Sequence, residues 1–399
     1  MNKEQRFFLQ ALTEHINGEF NSIPKENINF NRLVSYAESH QLAGIIYYQI
    51  KNTEFEKCCE SLKEYSGADI FYYLNRKSML KDIFDEFTKN NISYFLIKGA
   101  VIADYYPKPE LRSMGDADIV IHPSDRENAH NIMLDLGFSC SQDYVNEWLY
   151  KKSGVEFEIH TALVYDSIIN TNEITEFFND CWKYVKDNNG VLSLDLNYHL
   201  LYLFLHIRKH ILLSGVGLRQ FFDVAVLIKS QYDKLNWEWI ETTLKQINLL
   251  KFAKACFVLI KEWFGVSVPI VTEKADADFI ESATQKIFSD GVFGLNPDID
   301  KYNDLVNLLR NNGNKISFWI MFKLAFSKIF PSYSDMISDG RYRKFIYNKP
   351  YKLPLIWVMR FYDGIKLRGF KYGTKLIKNS FASSETINKE IDIIEKWGL

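Results

Sequence analysis

The spacing of apolar residues divides this 399-residue chain into parts with different character. Over most of the sequence apolar residues recur every three or four positions, which predicts amphipathic helices. From Ser93 the pattern becomes that of strands: SYFLIK is a short apolar run, and ADIVI and VEFEIH alternate. We therefore expect a small sheet within a mostly helical surround, which is an α+β fold.

Four regions follow from this pattern. We expect a helical N-terminal region over residues 1–90 and a compact α+β core over residues 91–165. A helical domain that completes a cleft beside the core is predicted for residues 166–314, and a basic, mostly helical C-terminal region for residues 315–399.

Local signals refine these regions. Residues 32–50 are predicted to form one helix, because their apolar positions keep the helical period. Ser124 is predicted to cap a helix that stops at Gly137. Ser153 and Gly154 form a turn signal between WLYKK and VEFEIH, so these two segments are expected to form a hairpin.

Composition excludes several classes of protein. Apolar residues make up 47% of the chain and charged residues 25%, as in a globular protein with a large core. The charged N-terminus predicts no signal peptide, and no run of eighteen uncharged apolar residues predicts a membrane span. The five cysteines form no CxxC pair, which favours reduced thiols and a cytoplasmic location.

Charge is distributed unevenly although the total is only −2. Residues 315–378 hold 14 Lys or Arg against three Asp, so this region is strongly basic and residues 1–314 are acidic. The basic region predicts either an anionic partner or a surface that packs against the acidic body. Its most basic and aromatic part, GRYRKFIYNKPYK, could bind nucleic acid, anionic lipid or an acidic protein surface, or could be a solvated flank.

Acidic residues follow the strand period in two segments. Asp116 and Asp118 share one face of a strand because side chains at i and i+2 point the same way. Glu156, Glu158 and His160 share one face of a second strand. If these strands are neighbours, three or four carboxylates converge and repel one another unless a cation lies between them.

Such a cluster predicts a site for Mg²⁺ or Mn²⁺ that clamps a nucleoside triphosphate. Gly99, in the turn after SYFLIK, allows backbone N–H groups to approach phosphate oxygens closely, and a short helix follows it. Lys98 and Arg112 could add cationic contacts to the triphosphate.

Together these motifs resemble the polymerase-β-type nucleotidyltransferase superfamily, and within it a bacterial group of uncharacterised nucleotidyltransferases. The resemblance covers about residues 95–230 and continues more loosely to the C-terminus. It departs from the superfamily at Ala100, where a small hydroxyl residue or glycine is usual, and in a 15-residue spacer between Ala100 and Asp116 that is longer than usual. The matching residues are Lys98, Gly99, Tyr106, Pro107, Arg112, Asp116, Asp118, Glu158, His160, His206, His210, Leu218, Arg219 and Asp223.

The resemblance implies a small mixed-sheet nucleotidyltransferase core that transfers a nucleoside monophosphate from an NTP, for which ATP is expected, to a hydroxyl acceptor with release of pyrophosphate. It assigns Asp116, Asp118 and Glu158 to catalysis and metal binding, with Glu158 preferred to Glu156 because it stands two residues before His160. The residues expected to contact nucleotide are Lys98, Gly99, Ala100, Arg112 and Arg219. Those expected to orient them are Glu156, His160, His206, His210 and Asp223.

Several alternatives stay open on the residues alone. His206 and His210 have the spacing of a zinc-binding pair but lack a third ligand, so a core-facing pair is preferred. Arg219 and Asp223 could simply pair along a helix. The acceptor could be a small molecule, a protein or RNA. Two other functions compete: a nucleotide-binding module without turnover, and a metal-dependent phosphohydrolase.

Overall fold

The structure, a computed structural model, describes most of the chain. The predicted boundaries near 165 and 314 lie outside the described residues, and so do residues 315–329 and 369–378 of the basic region. The described ranges are 1–144, 146–164, 171–213, 215–271, 276–291, 330–333, 336, 340–368 and 395–399.

The N-terminal region is helical, as predicted. The first helix begins at a capping box, in which the side chains of Asn2 and Gln5 each accept a hydrogen bond from the other residue's backbone N–H. The predicted single helix over residues 32–50 is wrong: the chain breaks at Gln41, which has a positive φ of 53°. The helices are α1 (Lys3–Ile16), α2 (Phe30–Ser39), α3 (Ala43–Ile50) and α4 (Ser61–Lys89).

A five-stranded mixed sheet follows, which confirms the α+β fold class. Its strand order is β1-β2-β5-β4-β3, and β2 and β5 are parallel whereas the other neighbours are antiparallel. The two segments with acidic residues are therefore adjacent at the centre of the sheet. The strands are β1 (Tyr94–Ile97), β2 (Asp116–Ile121), β3 (Ser139–Asp143), β4 (Glu147–Lys152) and β5 (Val155–His160).

The connections within this unit test two of the local predictions. The hairpin turn between β4 and β5 is confirmed, with positive φ at Ser153 and Gly154. The predicted cap at Ser124 is wrong, because a 3-10 turn over Pro123–Asp125 leads into α6 (Arg126–Asp135). Pro123 fixes the backbone angle that begins this tight turn, so the regular helix starts later than the cap signal suggests.

Apolar residues from one face of the sheet pack against α4 and α6. Ile119 and Phe157 lie in this core with Ile83 and Phe87 of α4. A larger core is formed by helices that precede the sheet in the sequence and helices that follow it. Its members come from α1, α3 and the helices after residue 195. The two faces of the sheet thus contribute to different cores, since Phe95, Ile97 and Val120 belong to the larger one.

The region after the sheet is mostly helical, with one departure. β6 (Val185–Asn188) and β7 (Val191–Leu194) form a hairpin where helix was predicted. Its turn, Asn189 and Gly190, has positive φ at both residues, as an Asn-Gly hairpin turn requires. The helices are α7 (Asn172–Asn179), α8 (Leu196–Leu213), α9 (Leu218–Gln231), α10 (Trp237–Gln246), α11 (Leu250–Phe264) and α12 (Ala277–Asp290).

The described part of the basic region contains α13 (Gly340–Ile346) and α14 (Leu353–Arg368). Arg343 of α13 donates to the Oδ1 of Asp143, at 3.2 Å, and to its backbone oxygen. Arg126 donates to the same carboxylate at 3.1 Å. The basic region is thus anchored to edge strand β3 of the sheet. Within the described ranges, no helix has the length and apolar character needed to cross a bilayer.

Candidate active site

The site is built on the parallel pairing of β2 with β5. This register sets Asp118 opposite Glu158 and Asp116 opposite Glu156. Paired residues on adjacent strands point to the same side of a sheet, and so do residues two apart on one strand. The adjacency on which the sequence prediction depended is therefore present.

The two candidate glutamates have different partners. Glu156 forms an ion pair with Lys151 of the neighbouring strand, with 2.5 Å between Nζ and Oε1. Glu158 instead joins Asp118 and His160 in a group whose possible ligand atoms all lie within 4.8 Å of one another. Glu158 thus lies with Asp118 and His160, whereas the carboxylate of Glu156 is paired with Lys151.

Asp118 is buried and contacts two cationic groups. The Nζ of Lys98 lies 2.5 Å from its Oδ1, and the Nε2 of His160 lies 2.8 Å from the same oxygen. Burial raises the pKa of the Asp118 carboxyl, but Lys98 and His160 outweigh it and hold the pKa well below its usual range. Asp118 is therefore ionised at neutral pH.

His160 bridges carboxylates. Its Nε2 also lies 3.4 Å from Glu158 Oε2, and its Nδ1 lies 3.6 Å from Glu147 Oε2. Burial lowers the pKa of His160, but the hydrogen bonds to Asp118 and Glu158 outweigh it and raise the pKa to about 9. The imidazole thus lies between the carboxylates of Asp118, Glu158 and Glu147.

Asp116 lies two residues before Asp118 on β2 and is repelled by the charges of Asp118 and Glu158. Its pKa is raised to about 6 by burial first and then by the negative charges of Asp118 and Glu158. Asp116, Asp118 and Glu158 thus form an oxygen-rich group, and a divalent cation would offset the repulsion that Asp116 experiences from the other two carboxylates. The donor set therefore fits a hard cation such as Mg²⁺.

The turn after β1 is held in an unusual conformation. Lys98 has a φ of 52°, which is uncommon for a residue with a side chain. Its backbone N–H donates to the Nε2 of His199 on α8 at 2.9 Å. Burial lowers the pKa of His199 to about 4, so this imidazole is neutral and can accept the bond. The bond fixes the backbone from which the Lys98 ammonium reaches Asp118.

Gly99 begins the one-turn helix α5 (Gly99–Ile102) and packs against Arg112. A Cβ at this position would lie 2.2 Å from the Nη1 of Arg112. Arg112 is buried and forms two hydrogen bonds to Asp223, from Nε to Oδ1 at 3.0 Å and from Nη2 to Oδ2 at 2.7 Å. The hydroxyl of Tyr106 donates to the same carboxylate at 2.7 Å. A side chain here would displace the guanidinium from this network.

This network decides one alternative that the sequence left open. Asp223 pairs with Arg112 rather than with Arg219, its neighbour along α9. Asp223 is thus bound by an arginine outside α9, because Arg112 approaches from the segment before β2 with Nε and Nη2 aligned on the carboxylate. Bidentate geometry of this kind is stronger than a pair along one helix.

Two further arginines approach the start of β2. Arg219 donates to the backbone oxygen of Ser113 at 2.8 Å. Arg76 of α4 donates to the backbone oxygen of Met114 at 2.8 Å. Burial lowers the pKa of each guanidinium to about 10 although Asp116 acts in the opposite direction. Both arginines thus keep their charge in an environment that compensates it incompletely.

His206 and His210 lie one turn apart on α8, with 3.1 Å between their Nε2 atoms. Burial is the main cause that lowers the pKa of both, to about 4 for His210, so the pair is neutral. In the part of the chain that the structure describes, the pair belongs to no group of three possible metal ligands. Both imidazoles are half-buried, and their role beside the site stays a prediction.

The remaining predicted residue is Ala100, which is half-buried in α5 and packs against the core beneath the sheet. Sequence reasoning missed Arg76, Glu147 and His199. His199 stands seven residues before His206 and so lies on the same face of α8, a spacing that could have indicated it. Arg76 and Glu147 had no such signal, because their positions relative to the site depend on tertiary packing.

A known protein family matches the region of the chain that holds the site. A family described as uncharacterised nucleotidyltransferase matches residues 26–265, which is more than half of the chain. The solution structure of antibiotic-resistance factor ANT(2'')-Ia is similar over 43% of this chain and 90% of that chain, with 11% sequence identity and a TM-score of 0.32. Comparison with curated proteins gave no match. The matched region contains both acidic strands and the turn at Lys98, and the chain belongs to this family of nucleotidyltransferases.

Proposed function

We propose that this protein transfers a nucleoside monophosphate from an NTP, with ATP as the expected donor, to a hydroxyl acceptor and releases pyrophosphate. The observation that carries the proposal is the register of β2 against β5, with Asp118 opposite Glu158 and Asp116 adjacent. Family membership supports nucleotidyl transfer in general. The divalent metal, the NTP donor and the hydroxyl acceptor are proposed in addition to what family membership supports.

Asp116, Asp118 and Glu158 are the residues that would hold Mg²⁺ or Mn²⁺. Carboxylate oxygens are the ligands that these hard cations prefer, and the raised pKa of Asp116 supports a site in which negative charge is incompletely compensated. When bound, the metal would lower the pKa of the acceptor hydroxyl and neutralise phosphate charge. His160 and Glu147 keep the carboxylates oriented from behind.

Lys98 is paired with Asp118, and this pair suggests two successive roles for its ammonium group. Its ammonium keeps Asp118 ionised before substrate is present. A triphosphate beside the turn would offer the same ammonium additional negative oxygens, to which it could turn without leaving the site. Lys98 is thus proposed to stabilise the ionised cluster first and the phosphates afterwards.

The arginines divide into two kinds. Arg112 is saturated by Asp223, so we propose that it supports Gly99 from behind rather than contacting phosphate. Arg219 uses Nη1 on a carbonyl oxygen, and burial together with the neighbouring charge of Arg112 lowers its pKa. An anionic substrate would supply a counter-charge, which supports Arg219 as a contact to the NTP.

The test is release of pyrophosphate from each of the four NTPs with Mg²⁺ or Mn²⁺ and a fractionated extract as the source of acceptor. Asp116→Asn and Asp118→Asn should each lower the rate by about 10²-fold or more. Asp135→Asn, an exposed carboxylate at the end of α6, is the matched control and should keep the rate. Nucleotide binding without pyrophosphate release would favour a binding module, and phosphate release without acceptor would favour a phosphohydrolase.

A further inference from the structure

Helix α14 turns an apolar face to solvent. Leu355, Val358, Phe361 and Tyr362 are between 58% and 66% exposed, and Pro354 is also exposed. These residues lie along one side of the helix by their spacing of three and four. Over 353–363, each residue classed as exposed is apolar or aromatic. We call these five residues the α14 face.

The other side of α14 is anchored. Ile356 is fully buried and packs in a small core with Tyr342 and Ile346 of α13. The indole of Trp357 donates to the backbone oxygen of Pro331 at 2.9 Å. The α14 face is therefore the side of the helix opposite to the one that packs against the protein. A soluble helix usually shows the reverse pattern.

Exposed cations and aromatic rings lie in the segment that precedes α14. Phe345, Tyr347 and Tyr351 are exposed in the segment that leads into the helix. Lys344 and Lys349 are exposed beside them. Residues 340–368 hold eight Lys or Arg against one acidic residue, Asp363. Asp363 accepts a hydrogen bond from the hydroxyl of Tyr342, so it is held on the inner side of α14.

We propose that the α14 face and the basic segment that precedes it bind the surface of an anionic membrane. An apolar helical face with aromatic residues and flanking Lys or Arg has the composition of helices that lie in the interface between headgroups and acyl chains. The apolar residues would enter that boundary, and the cations would contact anionic headgroups. The protein then lies on the bilayer without crossing it.

The same observations argue against two other binding partners for the α14 face, a second copy of this chain and single-stranded nucleic acid. A second copy of this chain would bring two strongly basic surfaces together, and like charges repel. Single-stranded nucleic acid would use the cations and rings, but Leu355 and Val358 offer bases neither stacking nor hydrogen bonds. An anionic bilayer is the occupant that uses both the aliphatic residues and the cations.

The experiment is co-sedimentation of the full chain with phosphatidylcholine vesicles, with and without phosphatidylglycerol. Wild-type protein should bind the anionic vesicles and lose most of this binding on the neutral ones. The double variant Leu355→Ser, Val358→Ser should weaken binding by about tenfold or more, because two exposed apolar side chains no longer enter the bilayer. Lys344→Gln with Lys349→Gln should weaken binding and make it less dependent on salt.

Phe71→Ser with Leu74→Ser is the matched control, since these two apolar residues of α4 are 60% and 58% exposed and lie outside the basic region. This variant should bind anionic vesicles as the wild type does. Equal binding by wild type and the α14 double variant would overturn the proposal, as would equal loss in the control. Binding of a homopolymer RNA instead of vesicles, or a dimer that the double variant turns into monomers, would assign the face to another occupant.

Discussion

At Gly99 a packing constraint coincides with a predicted phosphate contact. The absence of a side chain lets the guanidinium of Arg112 lie against the backbone of the turn. That guanidinium is the far end of a flexible side chain, but it is buried and bound twice by Asp223. It cannot move aside without leaving a buried charge unpaired, which is costly.

Gly99→Ala should therefore destabilise the protein by roughly 2–4 kcal/mol, through overpacking and partial loss of the Arg112–Asp223 pair. The measurement is the free energy of unfolding in urea. Gly67→Ala is the control: Gly67 lies inside α4 with nothing within 4 Å of a built Cβ, so alanine should stabilise by about 0.5–1 kcal/mol. Equal effects at both positions would show that Arg112 yields freely.

The two glutamates of β5 allow a comparison of matched changes. Glu158→Gln should lower the rate of pyrophosphate release by about 10²-fold or more, because the amide cannot supply the charge that faces Asp118 and His160. Glu156→Gln should change the rate by only about two- to threefold, since that carboxylate is paired with Lys151. Comparing the rates of the two variants at identical metal and NTP concentrations shows which glutamate acts with Asp116 and Asp118. The reverse order would assign the third carboxylate to Glu156.

At the scale of elements, the β4–β5 hairpin aligns the strand that carries Glu158. Its turn has a φ of 49° at Ser153 and 79° at Gly154. Asparagine tolerates the left-handed region better than serine does, and Asn-Gly is the preferred pair for a two-residue hairpin.

Ser153→Asn should therefore raise stability by about 0.3–1 kcal/mol and leave the rate of nucleotidyl transfer unchanged. Thermal unfolding followed by circular dichroism measures the first and the pyrophosphate assay the second. Ser141→Asn on β3, outside this turn, removes a hydroxyl that donates to the backbone oxygen of Leu149 at 3.2 Å, so no gain in stability is expected there. A lower melting temperature for Ser153→Asn would mean that the serine makes a contact that asparagine cannot replace.

Elements with a strong period were predictable from the sequence. The alternation in VEFEIH and the Ser153–Gly154 signal were sufficient for β4 and β5, and Asp116 with Asp118 indicated the acidic edge of β2. The break at Gln41 was not predictable from period, because both flanking segments keep the helical spacing. The β6–β7 hairpin was missed although its Asn189–Gly190 turn is a strong local signal.

At the scale of the whole molecule, the site depends on contacts between distant parts of the chain. Lys98 and His199 are 101 residues apart, and Arg112 and Asp223 are 111 residues apart. Residue spacing along one sequence carries no information about such pairs. The sequence identifies Arg112, Arg219 and Asp223 as a set and leaves a pair between Arg219 and Asp223 open. Only the packing of α9 against the turn decides which arginine reaches the carboxylate.

Buried neutral histidines are a second property of the whole molecule. Burial lowers the pKa of His15, His199 and His210 to about 4 and that of His40 to about 3. The pKa of His206 is also lowered well below its usual value. An unfolded chain exposes all five at an ordinary pKa near 6.5, so it binds more protons than the folded chain once the pH falls below that value.

Stability should therefore fall as the pH drops from about 7 towards 5, since the unfolded state takes up protons at these five histidines. Asp116 and Asp69, whose pKa values are raised to about 6, oppose part of this fall. Each extra proton contributes a slope of about 1.4 kcal/mol per pH unit. The measurement is the urea midpoint at several pH values between about 7 and 5, a window in which the five histidines act in the same direction. His40→Gln keeps a side-chain acceptor for the backbone N–H of Leu218 but cannot titrate, so the slope should decrease by up to one proton's share. A midpoint that stays constant or rises as the pH falls, with the same slope in His40→Gln, would contradict the prediction.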